Sequence, residues 1–126
     1  MKFRSYLEKH FILEKEATID IENGAYNKAV SALWFSLESL LRALLIGEGK
    51  TPPEKPGKLI SYSIQILFSN IDNPENLARI INSLYNMRTQ VDHKDKIADA
   101  TYAKKALRRY NEAIKIISNL YPLKHE

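Results

Sequence analysis

Two long amphipathic segments separated only by Asn23-Gly24 constrain the fold of this chain more than any other feature. The first runs from about Phe3 to Ile21 and the second from Ala25 to about Ile46, and both repeat apolar residues at helical spacing. Glycine readily adopts the left-handed conformation found just past many helix ends, so the break is predicted at Gly24. Two long helices joined by so short a turn must lie antiparallel. The chain therefore begins with a predicted helical hairpin.

The remaining apolar patterns predict two or three further helices and no sheet. Glycines and prolines from Gly47 to Lys58 predict a loop. The stretch from Leu59 to Phe68 fits both a strand and a helical face, and we predict a helix because no second strand candidate exists to satisfy a lone strand. Asn73-Pro74 is a typical helix start, and a last helix runs from about Asp99 to Leu120. The expected fold is one all-α domain over residues 1–126, an up-and-down bundle of four to five helices.

Composition narrows the class of function. Hydrophobic content of 44% and charged content of 27% are ordinary for a soluble globular domain. The chain has neither an apolar run of about 18 residues nor a signal-peptide core, so a cytoplasmic location is expected. Without cysteine there is no disulfide, thiolate nucleophile or cysteine-bound metal, and the three histidines are too scattered for a metal centre; no cofactor is expected. A net charge of +4 tolerates a nucleic-acid partner without demanding one.

Arg88 lies where helical spacing predicts the protein core. It shares the apolar stripe of Leu77, Ile81 and Leu84, and a buried guanidinium is costly unless it is paired or faces a polar cleft. Five residues later comes His93, whose side chain suits proton transfer near neutral pH. A histidine can take the proton of an RNA 2′-hydroxyl, and an arginine can stabilise charge at the phosphorus, without any metal. The pair is therefore a candidate catalytic site.

The same residues also permit a purely structural interpretation. Asp92, four residues after Arg88, can pair with it, and His93 is then only a helix-end residue. A rotation of about 140° over five helical residues separates Arg88 from His93, so they do not share a face of a regular helix. Either the helix ends or distorts near Val91, or the site is completed across a dimer interface.

Other charged residues admit two interpretations each. Glu38 either forms an intrahelical ion pair with Arg42 or supports the site by orienting Arg88 from the adjacent helix. A basic stripe on the last helix is either a solvated face or a rim that attracts RNA phosphates. Its members are Lys104, Lys105, Arg108, Arg109 and Lys115, of which Lys104, Arg108 and Arg109 are the candidate phosphate-binding residues. His10 shares the apolar face of the first helix, so we expect it in the core.

Three sequence motifs together resemble the HEPN domain family. Residues 25–29, followed by residues 37–45 with Glu38 ahead of Arg42-Ala43-Leu44, are similar to the family's second helix. Gly57-Lys58-Leu59-Ile60, after a proline-rich loop, is similar to the entry of its third helix. Residues 84–93 fit the family's Arg-x4–6-His signature, with four residues between Arg88 and His93.

The resemblance implies a helical bundle that dimerises and brings two Arg-x4-His motifs into one cleft. It implies a metal-independent endoribonuclease with Arg88 and His93 as the catalytic pair, often a toxin neutralised by a nucleotidyltransferase-fold antitoxin. The family also includes non-catalytic modules that bind such a partner or a nucleotide, and this alternative stays open. In a third alternative the dimer is purely structural and Arg88 forms a buried ion pair.

Overall fold

The computed structural model describes residues 2–123, which form five α-helices and no strand. The helices are α1 (Lys2–Glu22), α2 (Tyr26–Gly47), α3 (Pro56–Leu67), α4 (Pro74–His93) and α5 (Ala100–Leu120). The all-α bundle predicted from the sequence is confirmed. His125 lies outside the described residues.

The turn between α1 and α2 forms at the predicted position. Gly24 has a φ of +76°, in the left-handed region that favours glycine. The backbone N–H of Ala25 donates to the carbonyl of Asp20 at 2.8 Å and so satisfies one of the last carbonyls of α1. The two helices then pack antiparallel along most of their length.

Helix α2 is the centre of the bundle, because α1, α3, α4 and α5 all pack against it. Trp34, Leu37, Leu40 and Leu41 on this helix are fully buried. By length and composition alone α2 is apolar enough to cross a membrane. Most of that segment is buried inside the bundle, as expected of a core helix.

Helix α3 begins earlier than the predicted loop allows. It starts at Pro56, whereas the sequence placed the loop through Lys58. Lys55 is extended and Pro56 occupies the first helical turn, where a missing N–H costs nothing. Leu59 and Ser63 are both buried at helical spacing, so the segment is a helix rather than a strand.

Helices α4 and α5 both begin with capped N-termini. The Asn73 side chain accepts a hydrogen bond from the backbone N–H of Asn76 at 3.0 Å, and Asp99 accepts one from that of Tyr102 at 2.8 Å. Between the helices, the N–H of Ala98 donates to the Asn27 side chain at 2.7 Å. That bond ties the α4–α5 loop to the start of α2, so the last turns of α4 lie beside the first half of α2.

A polar network lies inside the bundle where α1, α2 and α5 meet. His10 is 1% exposed, and its Nδ1 donates to the carbonyl of Ser36 at 3.0 Å. The Tyr110 hydroxyl lies 2.8 Å from Ser36 Oγ and donates to Glu14 at 2.8 Å. Burial lowers the pKa of His10, and it raises that of Tyr110. His10 is therefore a satisfied core residue, as predicted.

Candidate functional site

Arg88 lies at the interface between α4 and α2 with its side chain only 16% exposed. Its Nε donates to Asp92 Oδ2 at 2.8 Å, one turn further along α4. The guanidinium carbon lies 4.9 Å from the centre of the Phe35 ring on α2, within cation–π range. An arginine held by a carboxylate and an aromatic ring keeps a fixed orientation at modest cost in desolvation.

Asp92 connects this arginine to the neighbouring helix. Its second oxygen accepts a hydrogen bond from the Ser31 hydroxyl of α2 at 2.6 Å. Both carboxylate oxygens are thus engaged, one by Arg88 and one by Ser31. The two terminal amino groups of Arg88 make no hydrogen bond within residues 2–123. They are the groups that bind a phosphate in a fork geometry, so the site can accept an anion.

His93 is the last residue of α4 and its side chain is exposed. It forms neither a hydrogen bond nor an ion pair with another described residue. The helix continues through Val91 to His93, so the sequence-based alternative of an early helix end is wrong. A regular helix turns by about 140° between Arg88 and His93. One chain therefore directs these two side chains to different faces.

Glu38 lies on the same face of α2 but is engaged elsewhere. Its carboxylate is 3.2 Å from the Arg42 guanidinium, one turn along the helix. Arg42 also donates to the carbonyls of Pro53 at 2.8 Å and Glu54 at 3.0 Å. This pair anchors the loop before α3, and no hydrogen bond joins Glu38 to Arg88 in the described part of the chain.

The basic stripe of α5 divides between two faces of the helix. Lys104 and Arg108 are exposed one turn apart. Arg109 is half-buried and donates to Glu112 at 3.1 Å. Lys105 instead lines a groove between α5 and α4. In the described part of the chain, no hydrogen bond links any of these side chains to the Asp92 and Ser31 side chains that hold the arginine site.

Ser31 and Phe35 were not identified from the sequence, although they hold the arginine site together. The available signal is their position one turn apart on α2, on the stripe that continues to Glu38 and Arg42. The stripe indicates a half-exposed face but not which helix covers it. The packing of α4 beside α2 supplies that information.

The site region offers two groups that suit phosphate chemistry, Arg88 and His93, on different faces of α4. Among residues 2–123, no group of three His, Asp or Glu side chains is placed to hold a metal ion. The groups at hand are the free amino groups of Arg88 and the imidazole of His93. Arginine stabilises negative charge on a phosphate, and imidazole moves protons near neutral pH.

Comparison with known proteins identifies the family. The sequence profile of the HEPN domain matches residues 13–120, and the chain therefore belongs to the HEPN domain family. Members of this family are often ribonucleases or nucleotide-related proteins. They commonly dimerise, and a homodimer fits this chain. No curated protein and no solved structure matches.

Proposed function

We propose that this chain is a metal-independent endoribonuclease of toxin–antitoxin type, acting as a cytoplasmic homodimer. The observation that carries the proposal is the state of Arg88. Asp92 and Phe35 hold its guanidinium, while both terminal amino groups stay free for a phosphate. His93 is the exposed histidine of the described chain and follows in the family's Arg-x4-His spacing. A nucleotidyltransferase-fold antitoxin is the partner we propose.

The proposed reaction uses the RNA's own 2′-hydroxyl as nucleophile. His93 takes the proton from this hydroxyl, and the 2′-oxygen attacks the adjacent phosphorus. The bond from phosphorus to the 5′-oxygen breaks, and that oxygen receives a proton from the imidazolium. Arg88 donates hydrogen bonds to the phosphate oxygens as their negative charge increases. The products are a 2′,3′-cyclic phosphate and a free 5′-hydroxyl, and DNA is not cleaved because it lacks the nucleophile.

Two copies of the chain complete the site. Because Arg88 and His93 diverge on one helix, a two-fold dimer is proposed to bring Arg88 of each copy beside His93 of the other. An exposed apolar residue supports an interface at this end of the molecule. Ile97, in the loop after α4, is 80% exposed, next to the bond that joins Ala98 to Asn27.

The test is cleavage of a labelled RNA by the purified protein in EDTA. Arg88→Ala and His93→Gln are expected to reduce cleavage at least about 100-fold, because each removes a group that acts in the transition state. Arg88→Lys keeps the positive charge but loses the planar fork of amino groups, and its RNA cleavage should remain strongly impaired. Arg42→Lys, a matched change on α2 away from the site, should retain activity. The parent enzyme should leave a 2′,3′-cyclic phosphate.

Two results would contradict the proposal. The first is cleavage at equal rates by the parent, Arg88→Ala and His93→Gln proteins, since the activity would then come from another source. The second is no cleavage by any of them while the parent is a dimer in solution. In that case the chain is a non-catalytic module, and its expression should not be toxic to cells.

A further inference from the structure

A second polar surface lies on the opposite side of α4 from Arg88, where α5 packs against it. A groove of about 470 Å³ opens there. Its lining residues are Arg79, Asn82, Ser83, Asn86, Met87 and Gln90 of α4, with Tyr102 and Lys105 of α5. Tyr102 closes one end, since its hydroxyl donates to the Met87 carbonyl at 3.1 Å. We call this surface the α4–α5 groove.

The face of α4 that lines the α4–α5 groove continues past Gln90 to His93. Arg79, Asn82, Asn86, Gln90 and His93 recur every three or four residues, so they form one stripe along the helix. At 1.5 Å per residue the stripe is roughly 21 Å long. His93 therefore lies at the end of the groove, on the face that Arg88 does not share.

The charges around the groove favour a polyanion. Arg79 and Lys105 are its charged lining residues, and no carboxylate lines it. Lys105 forms no ion pair with a described residue. Of the carboxylates on the two helices, Asp92 is paired with Arg88 and Glu112 with Arg109, which leaves Glu75 at the start of α4. The charged side chains that line the groove are therefore both cationic, whereas Asp95 and Asp99 lie in the loop between α4 and α5.

Two side-chain amides in the groove have the hydrogen-bonding groups needed to contact nucleic-acid bases. The side chains of Asn86 and Gln90 are exposed and make no hydrogen bond within residues 2–123. An amide both donates and accepts, as the edge of a nucleic-acid base does. Single-stranded RNA presents these edges freely, whereas the deep major groove of duplex RNA hides them. A positive groove with unoccupied amides suits a single strand better than a duplex.

We infer that the α4–α5 groove binds single-stranded RNA and guides it to His93, with Lys105 and Arg79 on the phosphates and Asn86 and Gln90 on base edges. The inference deepens the proposed ribonuclease function and rests on it for the direction of the strand. It assigns substrate binding to a face of α4 that lacks Arg88. The strand then reaches His93 of one copy and Arg88 of the other.

The test measures RNA binding separately from cleavage. A fluorescently labelled single strand of about twelve nucleotides is titrated with protein in the His93→Gln background, in EDTA, by anisotropy. Lys105→Ala should weaken binding at least about threefold at low salt. It should also make the slope of log binding constant against log salt concentration shallower by about the amount expected for one phosphate contact. The double variant Asn86→Ala/Gln90→Ala should weaken binding at least about fivefold with an unchanged salt dependence. Matched controls are Lys9→Ala on α1 and Gln65→Ala on α3, both exposed.

Several outcomes would overturn the inference. In the first, the parent does not bind RNA. In the second, the groove variants bind the single strand as tightly as the control variants do. In the third, the parent binds duplex RNA as tightly as the single strand. A phosphorylated peptide that binds as tightly, and loses affinity in the same variants, would assign the groove to a protein partner.

Cleavage assays in the parent background distinguish the two proposals. Groove variants should raise the KM for RNA and leave kcat unchanged, because they do not touch the reacting phosphate. If the parent binds RNA as predicted but cleaves none, the ribonuclease proposal fails and the groove stands. If cleavage depends on Arg88 and His93 while binding ignores the groove residues, only the groove proposal fails.

Discussion

At the scale of single residues, Arg88 shows how a charge is accommodated next to a core. Asp92 occupies its Nε and Phe35 covers one face of the guanidinium. Ser31 in turn fixes the second oxygen of Asp92. The hydrogen bond uses the Nε of the guanidinium and leaves its two terminal amino groups without a hydrogen bond within residues 2–123. The same contacts that stabilise the arginine therefore also fix its orientation, as the proposed phosphate contact requires.

Asp92→Ala tests that positioning role. Without the carboxylate, the Arg88 guanidinium loses its fixed orientation, and we expect kcat for RNA cleavage to fall about tenfold to 100-fold, as for a lost charged hydrogen bond. Arg88→Ala should be worse, since it removes the group itself. The matched control is Asp95→Ala, an exposed carboxylate two residues after His93. Equal activity of the Asp92 and Asp95 variants would contradict a positioning role.

His10 predicts a pH dependence of stability. Burial lowers its pKa in the folded chain, so as the pH falls the unfolded chain takes up a proton, near pH 6.5, before the folded chain does. The free energy of unfolding should fall as the pH drops below that value. His10→Asn keeps a donor for the Ser36 carbonyl but does not titrate, so its stability should fall less between about pH 7.5 and 5.5. Denaturant unfolding at both pH values measures this, and an equal fall in the two proteins would refute it.

At the scale of elements, the sequence predicted where the helices lie better than it predicted which faces of them pack together. The break at Gly24 and the start at Asn73-Pro74 follow from local chemistry, and both were predicted correctly. The start of α3 was missed because Pro56 favours a first helical turn as readily as a loop. Local patterns do not say which helix packs on which face. Ser31 and Phe35 were therefore not found, although the arginine they support was.

The N-cap of α5 provides a test at this scale. Asp99 accepts the backbone N–H of Tyr102, so Asp99→Ala leaves that group without its partner. We expect a loss of about 1 kcal/mol in the free energy of unfolding. Asp95→Ala in the preceding loop removes the same charge without a cap and serves as the control. Equal losses in the two variants would show that charge, rather than capping, is responsible.

At the scale of the whole molecule, the proposed catalytic site requires a dimer. The bundle separates Arg88 and His93 on two faces of α4, and a second copy is proposed to reunite them. Ile97 is the apolar residue most exposed beside that end of the molecule, at 80%. An exposed isoleucine contributes little to the fold of one chain but gains about 1.5–3 kcal/mol when a second chain covers it.

Ile97→Ser should therefore weaken the dimer without destabilising the chain. Two-fold symmetry applies the change twice, so the dissociation constant should rise at least about tenfold in sedimentation equilibrium. Ile12→Ser on the outer face of α1 is the matched control, since Ile12 is 56% exposed. An unchanged dissociation constant for Ile97→Ser, or an equal rise for Ile12→Ser, would place the interface elsewhere.

The most direct test of the composite site is to mix two inactive proteins. Arg88→Ala and His93→Gln subunits each lack one group, but a mixed dimer holds one site with Arg88 from one chain and His93 from the other. Random exchange makes half of the dimers mixed, with one of two sites intact, so about a quarter of parental RNA cleavage should return. Each inactive protein measured alone gives the baseline of cleavage. As a control for subunit exchange, the double variant Arg88→Ala/His93→Gln is mixed with the parent, because every mixed dimer of that pair lacks an intact site. No recovery after demonstrated subunit exchange would contradict a site shared between two chains.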